Sequence, residues 1–230
     1  FKVCDLLQCV SLLEKGHLLN SKYKFKKIIY IPEGLPKVNY PCKNKKIFKK
    51  ELISISRIDP IKGIEILLEA SKNLNFNGWK INIYGNGSKE YLKKLTQIII
   101  KNNLEEKVFL KKGIFKEEKY KVLSSASAFI LPSYSESFGI GVAEAMSFGL
   151  PIITTTKTPW ATINKKNFGW IIKPNIKELK FALKQLFASS ENKLFKIGNE
   201  GKNYISESYD LIETSLQMKK EILLLIKEKK

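Results

Sequence analysis

Residues 131–151 read LPSYSESFGIGVAEAMSFGLP. Leu131 closes a short apolar run, Ala128–Leu131, that reads as a buried strand. Phe138, Gly139 and Gly141 follow in a tight turn, and about Val142–Phe148 reads as a helix running to Gly149-Leu150-Pro151. A strand–turn–helix of this kind leaves backbone N–H groups unpaired at the helix start, where an anion is welcome. Glu136 falls on the turn and Glu144 on the first turns of the helix, with seven residues between them. Two glutamates at that spacing also occur by chance in helical proteins. The surrounding text, PSYSESFG and EAMSFGLP, carries the specificity.

The same alternation extends on both sides. Strands are expected at Leu52–Ser56, Trp79–Tyr84, Lys107–Lys111, Ala128–Leu131 and Ile152–Thr155, with a short one at Trp170–Ile172. Helices are expected between them at Gly63–Leu74, Glu90–Lys101 and Glu117–Ser125. Three more follow at about Ile176–Ser189, Leu194–Ser206 and Leu211–Glu228. Strands alternating with helices imply a parallel sheet with helices on both faces, an α/β Rossmann-like class. Ligands of such sheets bind at the carboxyl ends of the strands. Arg57, Gly85, Gly113 and Glu136 each follow a strand there. Upstream, Leu6–Val10 and Lys27–Ile31 read as strands around a helix at about Leu12–Asn20, and the polar NYPCKNKKIF at 39–48 reads as a linker.

Ser56-Arg57-Ile58-Asp59-Pro60-Ile61-Lys62-Gly63 ends one strand and opens one helix. Arg57 and Lys62 can converge on a phosphate pair there, arginine as a fork and lysine as a point charge. The plainer alternative has Arg57 capping a carboxylate and Lys62 in solvent. Tyr84-Gly85-Asn86-Gly87 either brings backbone close to a ligand or packs as a turn. It is not a dinucleotide fingerprint, because the third glycine is missing.

ISRIDPIKGIEILLEA and SESFGIGVAEAMSFGLP together resemble the retaining glycosyltransferases of the GT-B fold, family 4. The resemblance is good over about 49–207 and weaker over 1–38, where Glu33 stands at a position the family usually fills with Asn. It implies the C-terminal, donor-binding half of a GT-B fold, moving a hexosyl unit from a nucleotide-sugar to a glycan or lipid-linked acceptor. Arg57 and Lys62 would neutralise the leaving diphosphate. Glu136, with Ser137 and the backbone N–H groups of Phe138 and Gly139, would orient the sugar, and Glu144 would hold the ribose. Beside a diphosphate, carboxylates suit hydroxyl donors better than phosphates. Gly85 and Gly87 would border the donor, and Gly113 and Ile114, in Phe109–Ile114, would receive the base. Thr158-Pro159-Trp160 and Gly169-Trp170 resemble a variant of bacterial surface-polysaccharide transferases, with Trp160 and Trp170 read as packing residues. The implied division is an N-terminal-domain remnant at 1–38, the linker, the nucleotide-sugar domain at 49–207 and a helix at 208–230 returning toward the N-terminal domain. Most of that N-terminal domain would be absent, so the chain alone is expected to turn over little acceptor. Neither a cofactor nor a metal is expected.

Composition bounds the alternatives. The net charge is +19, yet Arg57 is the only arginine among 41 basic residues, and lysines occur in nearly every segment. A nucleic-acid-binding module would show clustered arginines or interleaved aromatics, so nucleic acid is not an expected partner. A nucleotide-sugar epimerase of the same fold would need other acid–base residues. Peripheral contact with an acidic membrane fits the lysines of the last helix. Asp5, Asp59 and Asp210 are the only aspartates, with no Asp-x-Asp pair for a metal-dependent transferase. Cys4, Cys9 and Cys42 form no Cys-x-x-Cys pair and suggest a reducing, cytoplasmic setting. No apolar run approaches the ~18 residues of a spanning helix. The first residues, starting at Phe1, lack the pattern of a signal peptide.

Overall fold

The computed structural model describes residues 4–37, 48–161 and 167–228. The expected linker at 39–48, Phe48 excepted, lies outside these residues, as does Cys42. Cys4 and Cys9 are free thiols.

A six-stranded sheet is built from β3 (Glu51–Ile55), β4 (Lys80–Tyr84), β5 (Val108–Lys111), β6 (Ala128–Leu131), β7 (Ile152–Thr155) and β8 (Gly169–Ile172). The spatial order is β5-β4-β3-β6-β7-β8, and every neighbouring pair is parallel. The chain starts at the middle of the sheet, builds outward to β5, returns to place β6 beside β3, and builds outward the other way. The strand order therefore reverses between β3 and β6, and the crevice at their carboxyl ends is the switch point of the sheet.

The strands read as apolar runs because both faces are covered. Leu52, Ile81, Ile83, Ile130 and Ile153 point to one core. There they meet Ile64, Leu67 and Leu68 of α2 (Ile64–Ser71), Leu95 and Ile99 of α3 (Lys89–Lys101), and Leu179, Leu183 and Leu186 of α6 (Ile176–Ala188). Their neighbours Ile53, Phe129, Leu131 and Ile152 point to the other. That side is closed by Leu123 of α4 (Lys116–Ser125), Val142, Ala145 and Met146 of α5 (Ile140–Ser147), and Ile205 of α7 (Glu191–Ser208). This is the Rossmann-like sheet with helices on both faces that the alternation predicts.

Residues before the linker form a separate parallel pair, β1 (Leu7–Cys9) and β2 (Ile28–Tyr30), joined by α1 (Leu12–Leu19). Ser11 caps α1 by accepting the N–H of Glu14 at 3.1 Å. Leu35 ties this unit to the chain's end: its N–H donates to Tyr209 O at 2.8 Å, and its carbonyl accepts the N–H of Leu211 at 3.1 Å. The last helix, α8 (Leu211–Glu228), buries only Thr214 and pairs Glu221 with Lys27 at 2.9 Å. Among the described residues no helix is long and apolar enough to cross a membrane.

Two helices begin two or three residues earlier than the apolar pattern indicates. α7 starts at Glu191, because Ser190 accepts the N–H of Lys193 and caps it. α5 starts at Ile140, directly after Gly139, whose φ of 78° is a left-handed conformation that glycine adopts without strain.

Candidate functional site

The loop after β3 is shaped by Asp59, whose Oδ1 accepts the N–H of Ile61 at 3.0 Å and caps a single 3-10 turn, Pro60–Lys62. Gly63, at φ 67°, then turns the chain into α2. A Cβ at Gly63 would lie 2.2 Å from the carbonyl oxygen of Pro132, so only a bare backbone fits between the loops after β3 and β6. Tyr134 N–H completes the junction by donating to Ile61 O at 2.8 Å.

That junction brings Lys62 to Glu136 across the switch point. Lys62 Nζ lies 2.6 Å from Glu136 Oε1, and the Ser133 hydroxyl donates to the same oxygen at 2.6 Å. The lysine and glutamate side chains are only 14% and 11% exposed. Glu136 Oε2 takes no hydrogen bond from a described residue, and an ammonium has three donors, so both groups keep capacity to spare. Arg57, on the same loop, is exposed and makes no ion pair with a described residue. The plainer alternative, a capped arginine and a solvated lysine, is the reverse of what is found.

Gly85 and Gly87 serve the packing of this loop. The N–H of Ile58 donates to Asn86 O at 2.8 Å. A Cβ at Gly85 would lie 2.0 Å from Ser56 O, and one at Gly87 2.5 Å from Ile58 O. Asn86 Oδ1 accepts the N–H of Gly113 at 3.1 Å and stitches in the loop after β5. The Gly113 N–H is thus already occupied, and the Ile114 side chain beside it is buried.

On the other flank, α5 opens with Gly139 as a cap that has no side chain. The N–H groups of Phe138, Gly139 and Ile140 find no protein acceptor among the described residues. Together they make a small electropositive mouth beside Glu136. The Phe138 ring turns inward onto Trp160, centroids 5.1 Å apart, and Ser137 is exposed. Glu144, one turn into α5, is held by a close ion pair with Lys119 of α4. Each glutamate thus has its own lysine.

Lys119, Ser133 and Asn86 were not among the expected site residues. Lys119 sits in the charged run KEEKYK, which reads as a solvated face. Ser133 stands three residues before Glu136, a spacing that does carry a signal. Asn86 is masked by its flanking glycines.

Residues 43–204, well over half of the chain and including every residue of this site, match the family model described as glycosyl transferases group 1. The chain belongs to that family. It is 30% identical over 217 residues to an uncharacterized glycosyltransferase of Haemophilus influenzae, covering 90% of this chain and 58% of the relative. A putative colanic acid biosynthesis glycosyltransferase, WcaL, of Salmonella typhimurium is 25% identical over 186 residues, covering 76% of this chain and 45% of the relative. The chain thus spans about half the length of these curated relatives. In fold it is similar to Anabaena HepE solved with UDP and glucose: TM-score 0.82, 17% identity, 95% of this chain and 62% of that one. The fold is that of the GT-B glycosyltransferases.

Proposed function

We propose that the crevice between β3 and β6 binds a nucleotide-sugar and serves a retaining hexosyl transfer to a glycan or lipid-linked acceptor. The observation that carries this reading is the pairing of Lys62 with Glu136, beside Arg57, which has no ion-pair partner among the described residues, and the open N–H groups of α5. Cations, a carboxylate and backbone donors converge where a parallel sheet takes its ligand.

In this reading Arg57 and Lys62 take the diphosphate, Lys62 sharing its three donors between Glu136 and phosphate oxygen. The second oxygen of Glu136 accepts a sugar hydroxyl, while Phe138 and Gly139 donate to the sugar. Glu144 accepts from the ribose hydroxyls once Lys119 yields or shares. Gly85 and Gly87 hold the loop that carries Arg57, and the backbone at Gly113 and Ile114 faces the base. In the transfer the bond from the anomeric carbon to phosphate breaks as the acceptor oxygen attacks from the same face. The acceptor proton passes to the departing phosphate, and the two cations stabilise the charge that grows there. Among the described residues no group of three or more His, Cys, Asp or Glu side chains could hold a metal ion, and the reading assigns no metal to the reaction. A role in bacterial surface-polysaccharide synthesis is supported by the name of the Salmonella relative and by Thr158-Pro159-Trp160.

The test is calorimetric titration of a panel of nucleoside diphosphates. Arg57→Ala should weaken the tightest-binding one by about 1.5–3 kcal/mol, the range for a charge-assisted hydrogen bond. Unchanged affinity in both Arg57→Ala and Lys62→Ala would remove the basis of the assignment.

A further inference from the structure

Trp160 follows β7 and is 2% exposed, and its indole Nε1 has no hydrogen-bond partner among the described residues. A buried N–H left unpaired is costly, of the order of 1–3 kcal/mol, and such donors normally find an acceptor. Trp170 shows the usual outcome, since its Nε1 donates to Gln185 Oε1 at 2.8 Å. The Trp160 ring is held on two sides, by Phe138 with centroids 5.1 Å apart and by Tyr209 at 5.4 Å, so the direction of its N–H is fixed.

The nitrogen-bearing edge of the indole lies against the mouth of α5. An ideal Cβ on Gly139 would lie 3.0 Å from Trp160 Nε1 and 3.7 Å from Glu136 Cγ. The space that a side chain at 139 would occupy is therefore bordered by the indole N–H on one side and by the Glu136 side chain on the other. Trp160 and Phe138 also line a cavity of about 450 Å³ with Tyr30, Tyr209 and Ser11, a volume that would hold a sugar ring.

We propose that Trp160 is a donor-sugar positioning residue, its indole N–H donating to an oxygen of the hexosyl unit beside Gly139 and opposite Glu136. This rests on the nucleotide-sugar reading of the crevice and adds a specificity-determining contact to it. With the donors of Phe138 and Gly139 on one side and the acceptor Glu136 on the other, a sugar hydroxyl can both receive and give a hydrogen bond. A nucleotide without its sugar would leave the Trp160 N–H unused.

The test separates sugar from nucleotide. Calorimetry is run with UDP, GDP and ADP and with UDP-glucose, GDP-mannose and ADP-glucose, and the tightest matching pair is carried forward. Trp160→Phe keeps an aromatic ring and lacks the N–H. It should weaken the sugar nucleotide by about three- to tenfold, the worth of one neutral hydrogen bond, and leave the diphosphate within about twofold. The chain has three tryptophans. The indole ¹H–¹⁵N signal that Trp160→Phe abolishes should move downfield with the sugar nucleotide and hold still with the diphosphate. Replacing Trp160 with 3-benzothienylalanine preserves the ring shape without the N–H. It should reproduce the loss, and it decides the matter if the phenyl variant does not fold. Equal loss for both ligands, no loss for either, or an unmoved indole signal would overturn the inference and leave the crevice reading standing. If the wild-type chain binds none of the six ligands, the crevice reading itself falls and takes the inference with it.

Discussion

Lys62 and Glu136 sit on loops 74 positions apart in sequence and meet at 2.6 Å with little solvent around them. Removing one partner of such a pair leaves the other desolvated and unpaired, which is why the loss exceeds the net worth of the pair itself. Glu136→Ala should therefore lower the unliganded protein's stability by about 1–3 kcal/mol in urea denaturation. An unchanged midpoint would mean that the pair does not persist in solution. Both residues were legible in the sequence as members of two motifs; their partnership was not. Contact across the switch point depends on Gly63 approaching Pro132, and nothing local to either loop announces that approach. Lys119 shows the opposite failure. It stands among charged residues with only Tyr120 between them, and only its pairing with Glu144 of α5 distinguishes it from a solvated lysine.

Elements were readable wherever apolar runs met a glycine or a cap. β6 and β7 are buried along their whole length, and Ala128–Leu131 and Ile152–Thr155 stand in the sequence as they do in the fold. Helix starts were less legible, because the first helical residues of α5 and α7 do not face the core and the cap decides the boundary. The start of α8 has a further consequence. Asp210 accepts the N–H groups of Ile212 and Glu213, at 2.8 and 3.3 Å, and lies 3.3 Å from Lys37. The two backbone hydrogen bonds, with a smaller contribution from Lys37, hold its carboxyl below the usual aspartate range. A depressed carboxyl contributes stability above its unfolded pKa, about 3.9, and loses it as pH falls through the folded value. Asp210→Ala should therefore melt below wild type at pH 6, and the gap should close as the pH is taken below about 3. A gap that stays constant across that range in thermal melts would show that the carboxylate charge is not what stabilises the helix start.

At the scale of the whole molecule, strand alternation implied a parallel sheet and placed the ligand end. The order β5-β4-β3-β6-β7-β8 is a matter of which strand returns to the centre, and no single segment encodes it. The order matters, because it alone puts the Arg57 loop beside the Glu136 turn. The small β1-α1-β2 unit was legible as two apolar runs around a helix, but its tie through Leu35 to Tyr209 and Leu211 was not, since those partners are some 175 residues apart. The charge of +19 does not explain the crevice either: two of its lysines are already paired, and the rest are dispersed. The crevice as a donor site is the central claim, and a crystal structure of the chain with its tightest-binding nucleotide-sugar tests it most directly. Diphosphate oxygens are expected at Arg57 and Lys62, a ribose hydroxyl on Glu144 and a sugar hydroxyl on the second oxygen of Glu136. A nucleotide bound elsewhere, or bound here with both glutamates still turned only to their lysines, would contradict it.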